Sequence, residues 1–252
     1  MIPIGDDDSD RTMTPYVNYL LIAANVLVFV FLQGFGSNDS FTYSYSTVPA
    51  EIMNGQDIVT SAKVITDPYT GQRFTLPGLG VTPIPVWFTL ITSMFMHGGL
   101  AHIAGNMLYL WIFGDNLENR LGHLRYFIFY MLVGVIASLA HVFSTYFLDQ
   151  NTLIPSLGAS GAISGVLGGY ILLFPKRRVN VFMFNFIMHV PAFIVLGFWI
   201  LFQVLSGMGI LGGSEAGGVA YAAHIGGFIA GLVLIKFFDP TRREPARRGI
   251  FN

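Results

Sequence analysis

A chain of 252 residues that is 53% hydrophobic and only 11% charged, with a mean hydropathy of +0.61, is too apolar for an ordinary soluble domain and belongs in a membrane. Its formal net charge of −1 makes no case for nucleic acid. The absence of cysteine removes disulfides, thiolate metal sites and cysteine nucleophiles together, so any nucleophile has to be an oxygen or a nitrogen.

Residues 1–14, with Asp6-Asp7-Asp8, read as a loose polar tail, and the first apolar span is Pro15–Gln33. The residues ahead of that span have neither a basic region nor a small-residue cleavage site, so it reads as a retained span. From Gly34 to about Thr82 the chain is rich in Asn, Asp, Ser, Thr, Gly and Pro without sustained periodicity, which predicts a structured external loop. The loop leads into Val86-Trp87-Phe88, whose tryptophan suits a membrane interface.

Further spans are predicted at Leu100–Phe113, Leu124–Phe147, Leu157–Phe174, Pro191–Leu205 and Val219–Phe238, six in all. The apolar run Val179–Leu205 is long for one span, and Pro191 suits a first helical turn, so Val179–Val190 reads as an interfacial lead-in. The expected fold is all-α and polytopic. One membrane domain covers residues 15–239, with its external loop at 34–99, between cytoplasmic tails 1–14 and 240–252.

Arg11, Arg120, Arg125, Lys176, Arg177, Arg178, Lys236, Arg242, Arg243, Arg247 and Arg248 fall on one side of this topology, and only Lys63 and Arg73 on the other. The positive-inside rule then places both termini in the cytoplasm and runs spans two, four and six from outside to inside. Counting back along span four from Lys176 at 1.5 Å per residue puts Ser160 about 24 Å above the cytoplasmic boundary. The same count gives about 18 Å for His224 and about 20 Å for His102. Asn106 follows His102 by one turn on the same face.

Ser160 lies in the small-residue run Ser156–Gly165, and Gly226 and Gly227 follow His224. Small residues at such positions have two readings: a tight helix contact, or a site where a substrate backbone approaches a hydroxyl. Gly227-x-x-x-Gly231 would let span six press on span four. A lone intramembrane histidine usually satisfies a buried carbonyl, and His141 and His189 read that way. The coincidence of a serine, a histidine and a His-x-x-x-Asn pair at one depth instead fits a nucleophile with its base and oxyanion donors. No carboxylate lies at that depth, so the unit would be a Ser-His dyad.

These residues resemble the rhomboid intramembrane serine proteases. The resemblance rests on Gly158-Ala159-Ser160-Gly161, on Ala223-His224-Ile225-Gly226-Gly227 and on His97-x4-His102-x3-Asn106. It extends to the strings Thr92–Gly99 and Gly114–Gly122 on either side of span two. It implies a rhomboid-like six-helix bundle in which Ser160 attacks a peptide carbonyl and His224 removes its proton. His102, Asn106 and the backbone N–H of Ser160 would line the oxyanion hole, with Ser160 starting a short helix at the foot of a dipping loop. By the same resemblance His97 supports the external loop, Glu118 and Arg120 form a structural pair at the cytoplasmic end, and Gly158 and Gly161 bracket the nucleophile.

The implied activity is an endopeptidase acting on transmembrane protein substrates in the bilayer, without cofactor, metal or nucleic acid, in a prokaryotic plasma membrane. One place departs from the pattern: Ser164 stands where some relatives carry an aromatic residue that stacks on the histidine. Phe198, Trp199 and Phe202 in span five form an aromatic gate or lipid-facing bulk. A pseudoprotease that binds transmembrane helices without cutting them usually lacks a dyad residue, and both are present here. A channel or transporter would carry an inverted repeat or intramembrane carboxylates, and neither is evident.

Overall fold

Apolar helices make up most of the structure, a computed structural model that describes residues 2–66, 73–210 and 220–240. After a strand β1 (Ile2–Asp6), α1 (Tyr16–Leu27) runs directly into a π-helical turn, Val28–Leu32. The expected external loop holds α2 (Asp39–Ser44), α3 (Pro49–Asn54), the antiparallel strands β2 (Lys63–Thr66) and β3 (Arg73–Leu76), and α4 (Thr89–Thr92). There follow α5 (Leu100–Leu121), α6 (His123–Phe147), α7 (Ser160–Leu173), β4 (Arg178–Met183), β5 (Phe186–Pro191), α8 (Ala192–Gly207) and α9 (Tyr221–Phe238).

Among the described residues, α6 and α9 are each long and apolar enough to cross a bilayer unaided, and Val86–Phe95 with α5 forms a third candidate broken by an 81° bend. Tyr16–Leu32, α7 and α8 are apolar but shorter. The shortness of α7 has a local cause. Ser156 is bridged antiparallel to Thr47, so the chain enters as extended backbone, and the helix begins at Ser160 rather than at the expected Leu157. Its 14 residues span about 21 Å, less than a hydrocarbon core of about 30 Å.

α7 is the centre of the bundle, with every residue from Gly161 to Tyr170 buried. Its most extensive neighbour is α9, followed by α6. α6 buries Tyr126, Phe129, Tyr130 and Val133 towards this core and exposes Leu124, Phe127, Ile128 and Leu132. A helix with apolar residues on its outer face too is a helix surrounded by lipid.

α5 extends two turns past the expected Phe113, because the polar residues that end the hydropathy are buried and partnered. Arg11 donates to Asp115 at 2.7 Å, and Glu118 accepts from the N–H groups of Val17 and Asn18 at 2.9 and 2.7 Å, capping the first turn of α1. Arg120 binds Asp239 at the end of α9 through two contacts of 3.1 and 3.2 Å.

Two segments differ from the sequence reading. Residues Val179–Val190, expected as an interfacial lead-in to a helix starting at Pro191, form the β4–β5 hairpin, and the tail expected to be loose supplies β1, which pairs antiparallel with β4. Val179 and Val181 point inward and are buried, while the hairpin turns at Phe184 and Asn185, both at positive φ. The start of α1, the end of α7 and the start of α8 therefore lie at the same end of the bundle. The tail expected over 240–252 lies, beyond Pro240, outside the described residues, as does Val219, the expected start of the last span.

Asp6 anchors β1. Its carboxylate accepts from Asn116 Nδ2 at 2.8 Å and from the hydroxyl of Tyr170 near the end of α7. Burial raises its pKa from 3.8 to about 7, with the neighbouring Asp115 adding to the rise and Tyr170, Arg177 and Asn116 opposing it. A folded-state value above the unfolded one stabilises fully below about pH 4, and that contribution is lost as pH rises through 7. Asp6→Asn is therefore expected to flatten the fall in thermal stability between pH 4 and 8 and to exceed wild type above pH 7. Melting temperatures of the two proteins that stay parallel across this range would refute it.

Candidate active site

Ser160 is the first residue of α7. Gly158, two residues before it, has φ +124°, a conformation that favours glycine, and donates its N–H to the carbonyl of Ser93 at 2.9 Å. The loop is thereby fixed against the segment that leads into α5. On the other side, α9 approaches α7 backbone to backbone. A Cβ placed on Gly227 would lie 2.2 Å from the carbonyl oxygen of Gly161, and one on Gly231 would lie 2.0 Å from that of Gly165.

That approach carries His224 to the serine. Nε2 of His224 and Oγ of Ser160 are 2.8 Å apart, and Nδ1 of the same ring is 2.7 Å from Oε1 of Gln203 on α8. Trp199, one turn before Gln203, lies with its ring centroid 6.0 Å from the imidazole. The serine borders a crevice lined by Ser93, Ser138, Ser156, Gly158 and Ala223. With the hydroxyl proton directed at Nε2, the imidazole is placed to take it as the oxygen attacks an electrophile.

His102 and Asn106 flank the same loop from α5. A methyl group on Gly158 would lie 2.8 Å from His102 Nε2 and 3.7 Å from Asn106 Nδ2. Nδ1 of His102 accepts from the Gly98 N–H at 3.3 Å, which leaves Nε2–H as the donor facing Gly158. The buried Nδ2 of Asn106 has no hydrogen-bond partner among the described residues. His97 is fully buried with its ring 5.1 Å from that of His102, and Gln33 clamps its backbone, accepting from its N–H at 2.9 Å and donating to its carbonyl at 3.0 Å.

Known proteins resemble this chain in sequence. The family model described as Rhomboid domain matches residues 85–239, well over half of the chain. The chain belongs to the rhomboid family. It is 35% identical over 146 residues to Rhomboid protein 1, mitochondrial, of Saccharomyces cerevisiae, covering 58% of this chain and 40% of that protein. It is 34% identical over 140 residues to the rhomboid protease GluP of Bacillus subtilis, covering 54% of this chain and 26% of GluP. With the chloroplastic Rhomboid-like protein 11 of Arabidopsis thaliana it shares 28% identity over 163 residues, 60% of this chain and 52% of that protein. The chain thus matches from about a quarter to about half of the length of these relatives.

In this rhomboid, Ser164 donates its hydroxyl to the Ser160 carbonyl at 2.6 Å, so that hydroxyl is engaged by the helix backbone. The aromatic trio of α8 divides: Trp199 turns inward onto His224 and Phe228, whereas Phe198 and Phe202 are exposed. Glu118 and Arg120 join α5 to α1 and α9 respectively, and His189 sits in the hairpin, 2.6 Å from Asn180. The carbonyl of His141 accepts from Thr145. Sequence reasoning passed over Gln203, although an amide four residues after Trp199 in an otherwise apolar run is a readable signal.

Proposed function

We propose that this rhomboid is an intramembrane serine endopeptidase that hydrolyses peptide bonds in or beside the transmembrane segments of membrane proteins through a Ser160–His224 dyad. The observation that carries this reading is the 2.8 Å contact between His224 Nε2 and Ser160 Oγ, on two helices joined by their glycines. The name of the B. subtilis relative, a protease, supports it.

As Ser160 Oγ attacks the substrate carbonyl, His224 takes its proton and then passes it to the departing amine. Water repeats the sequence to release the acyl-enzyme. Negative charge developing on the carbonyl oxygen is met by the Ser160 N–H at the N-terminus of α7, by Nε2–H of His102 and by Nδ2 of Asn106. His97 and Gln33 hold the segment that carries His102. In the bilayer the six apolar helices Tyr16–Leu32, α5, α6, α7, α8 and α9 cross, α7 completed by the loop that dips to Ser160. Both termini lie on the cytoplasmic side, where Lys176, Arg177, Arg178 and Lys236 gather.

Fluorophosphonate labelling of the purified protein tests the assignment. Modification at Ser160 is expected, and a protein that resists the probe while cleaving a transmembrane substrate would sink it.

The oxyanion roles have their own expected result. Asn106 Nδ2 has no partner to lose among the described residues, so Asn106→Ala should change stability little and lower kcat about 10- to 1,000-fold, as should His102→Ala. His102 should show the larger effect, since its Nε2 lies nearer to Gly158. A variant whose melting point drops sharply while kcat per folded molecule matches wild type would leave the side chain as packing.

A further inference from the structure

An imidazole that is to accept a proton at Nε2 has to carry its own proton at Nδ1, and in water a histidine side chain prefers no such arrangement strongly enough to rely on. Serine-histidine units commonly use a buried carboxylate for this purpose. In this chain the atom opposite His224 Nδ1 is the amide oxygen of Gln203, at 2.7 Å. The inward face of α8 carries the buried Ala192, Leu196, Gln203 and Ser206 and the half-buried Trp199, so Trp199 and Gln203 meet His224 from successive turns of one helix.

We infer that Gln203 is the positioning residue for His224: its Oε1 accepts from Nδ1–H and locks the tautomer whose Nε2 lone pair faces Ser160, while Trp199 limits tilting of the ring. The amide has a polarity that matters. Its oxygen selects the productive tautomer, whereas a residue without an acceptor leaves the proton free to move to Nε2, where it blocks the base. A neutral partner also gives orientation without the charge that a carboxylate would bring into an apolar bundle, where an unpaired charge is costly. Trp199 supplies the aromatic contact that Ser164 cannot.

This inference rests on the Ser160–His224 reading for its consequence in turnover, but the tautomer can be read without turnover. Protein labelled with 15N-histidine in detergent micelles, with the His224 signals assigned by their loss in His224→Ala, reports which ring nitrogen carries the proton. Wild type is expected to show Nδ1–H. Gln203→Met, which keeps the length of the side chain and removes the acceptor, should lose that preference and slow fluorophosphonate labelling about 10- to 100-fold, by analogy with the loss when the partner orienting a metal-bound histidine is removed. Gln203→Glu, which keeps an acceptor oxygen, should retain Nδ1–H and serves as the readout if the Met variant does not fold.

Retention of Nδ1–H in folded Gln203→Met, with labelling within twofold of wild type, would overturn the inference, as would loss of Nδ1–H in folded Gln203→Glu. If wild type is not labelled at all but Gln203→Met still shifts the tautomer, the positioning role stands and the protease reading falls.

Discussion

Ser160→Ala and His224→Ala are each expected to lower cleavage of a transmembrane substrate by about ten-thousandfold or more while leaving the protein folded. The two side chains act as one unit across a 2.8 Å contact, so losing either forfeits nearly the whole gain, and the double variant should be little worse than either single one. Neither substitution disturbs the glycine contacts that bring α7 and α9 together, so melting temperatures should stay close to wild type. Cleavage by Ser160→Ala at a rate near wild type would move the nucleophile elsewhere. Additive losses in the double variant would mean that the two residues act separately.

The second large effect is structural. At Gly231 an added Cβ would lie 2.0 Å from the carbonyl oxygen of Gly165, and the obstacle is backbone, which cannot turn aside as a side chain can. Gly231→Leu has to push α9 away from α7. We expect a loss of about 3 kcal/mol or more, the upper end of overpacking costs, together with loss of fluorophosphonate labelling as His224 leaves Ser160. Gly105 provides the control, since a Cβ there meets nothing within 4 Å. Gly105→Ala should leave stability and labelling near wild type. If Gly231→Leu melts with wild type and is still labelled, close approach of the two backbones is not what joins these helices.

The helices were legible where hydropathy and helix coincide. The span expected at Leu124–Phe147 is α6, His123–Phe147, to within a residue. Where polar residues are buried against partners the two diverge, so hydropathy ended at Phe113 a helix that continues to Leu121, held by Arg11, Val17 and Asn18 from far along the chain. The sheet was illegible for a different reason. The alternation of Arg178-Val179-Asn180-Val181 is lost in the apolar residues Phe182 to Met188, which fall on both faces of β4 and β5, and Asn185 at the turn was no stronger a signal in sequence than Asn180 within the strand. β1 is five residues whose partner lies on the far side of the chain, and no local pattern announces such a pairing. At the site, glycines beside Ser160 and His224 pointed to close helix approach, and the structure places the two side chains in contact. Gln203 was missed because a single amide in an apolar helix has no partner visible in sequence.

The pairing of β1 with β4 also has a meaning in time. Asp6 and Tyr170 are 164 residues apart, so at a synthesis rate of about 5–20 residues per second the strand waits roughly 10 to 30 s for its partner to be made. During that interval the carboxyl group is in water and ionised at neutral pH. Docking then removes it from solvent and raises its pKa to about 7, so closing the sheet takes up part of a proton. β1 is thus made well before its partner and settles late, and it stays undocked until the helix headed by Ser160 is in place.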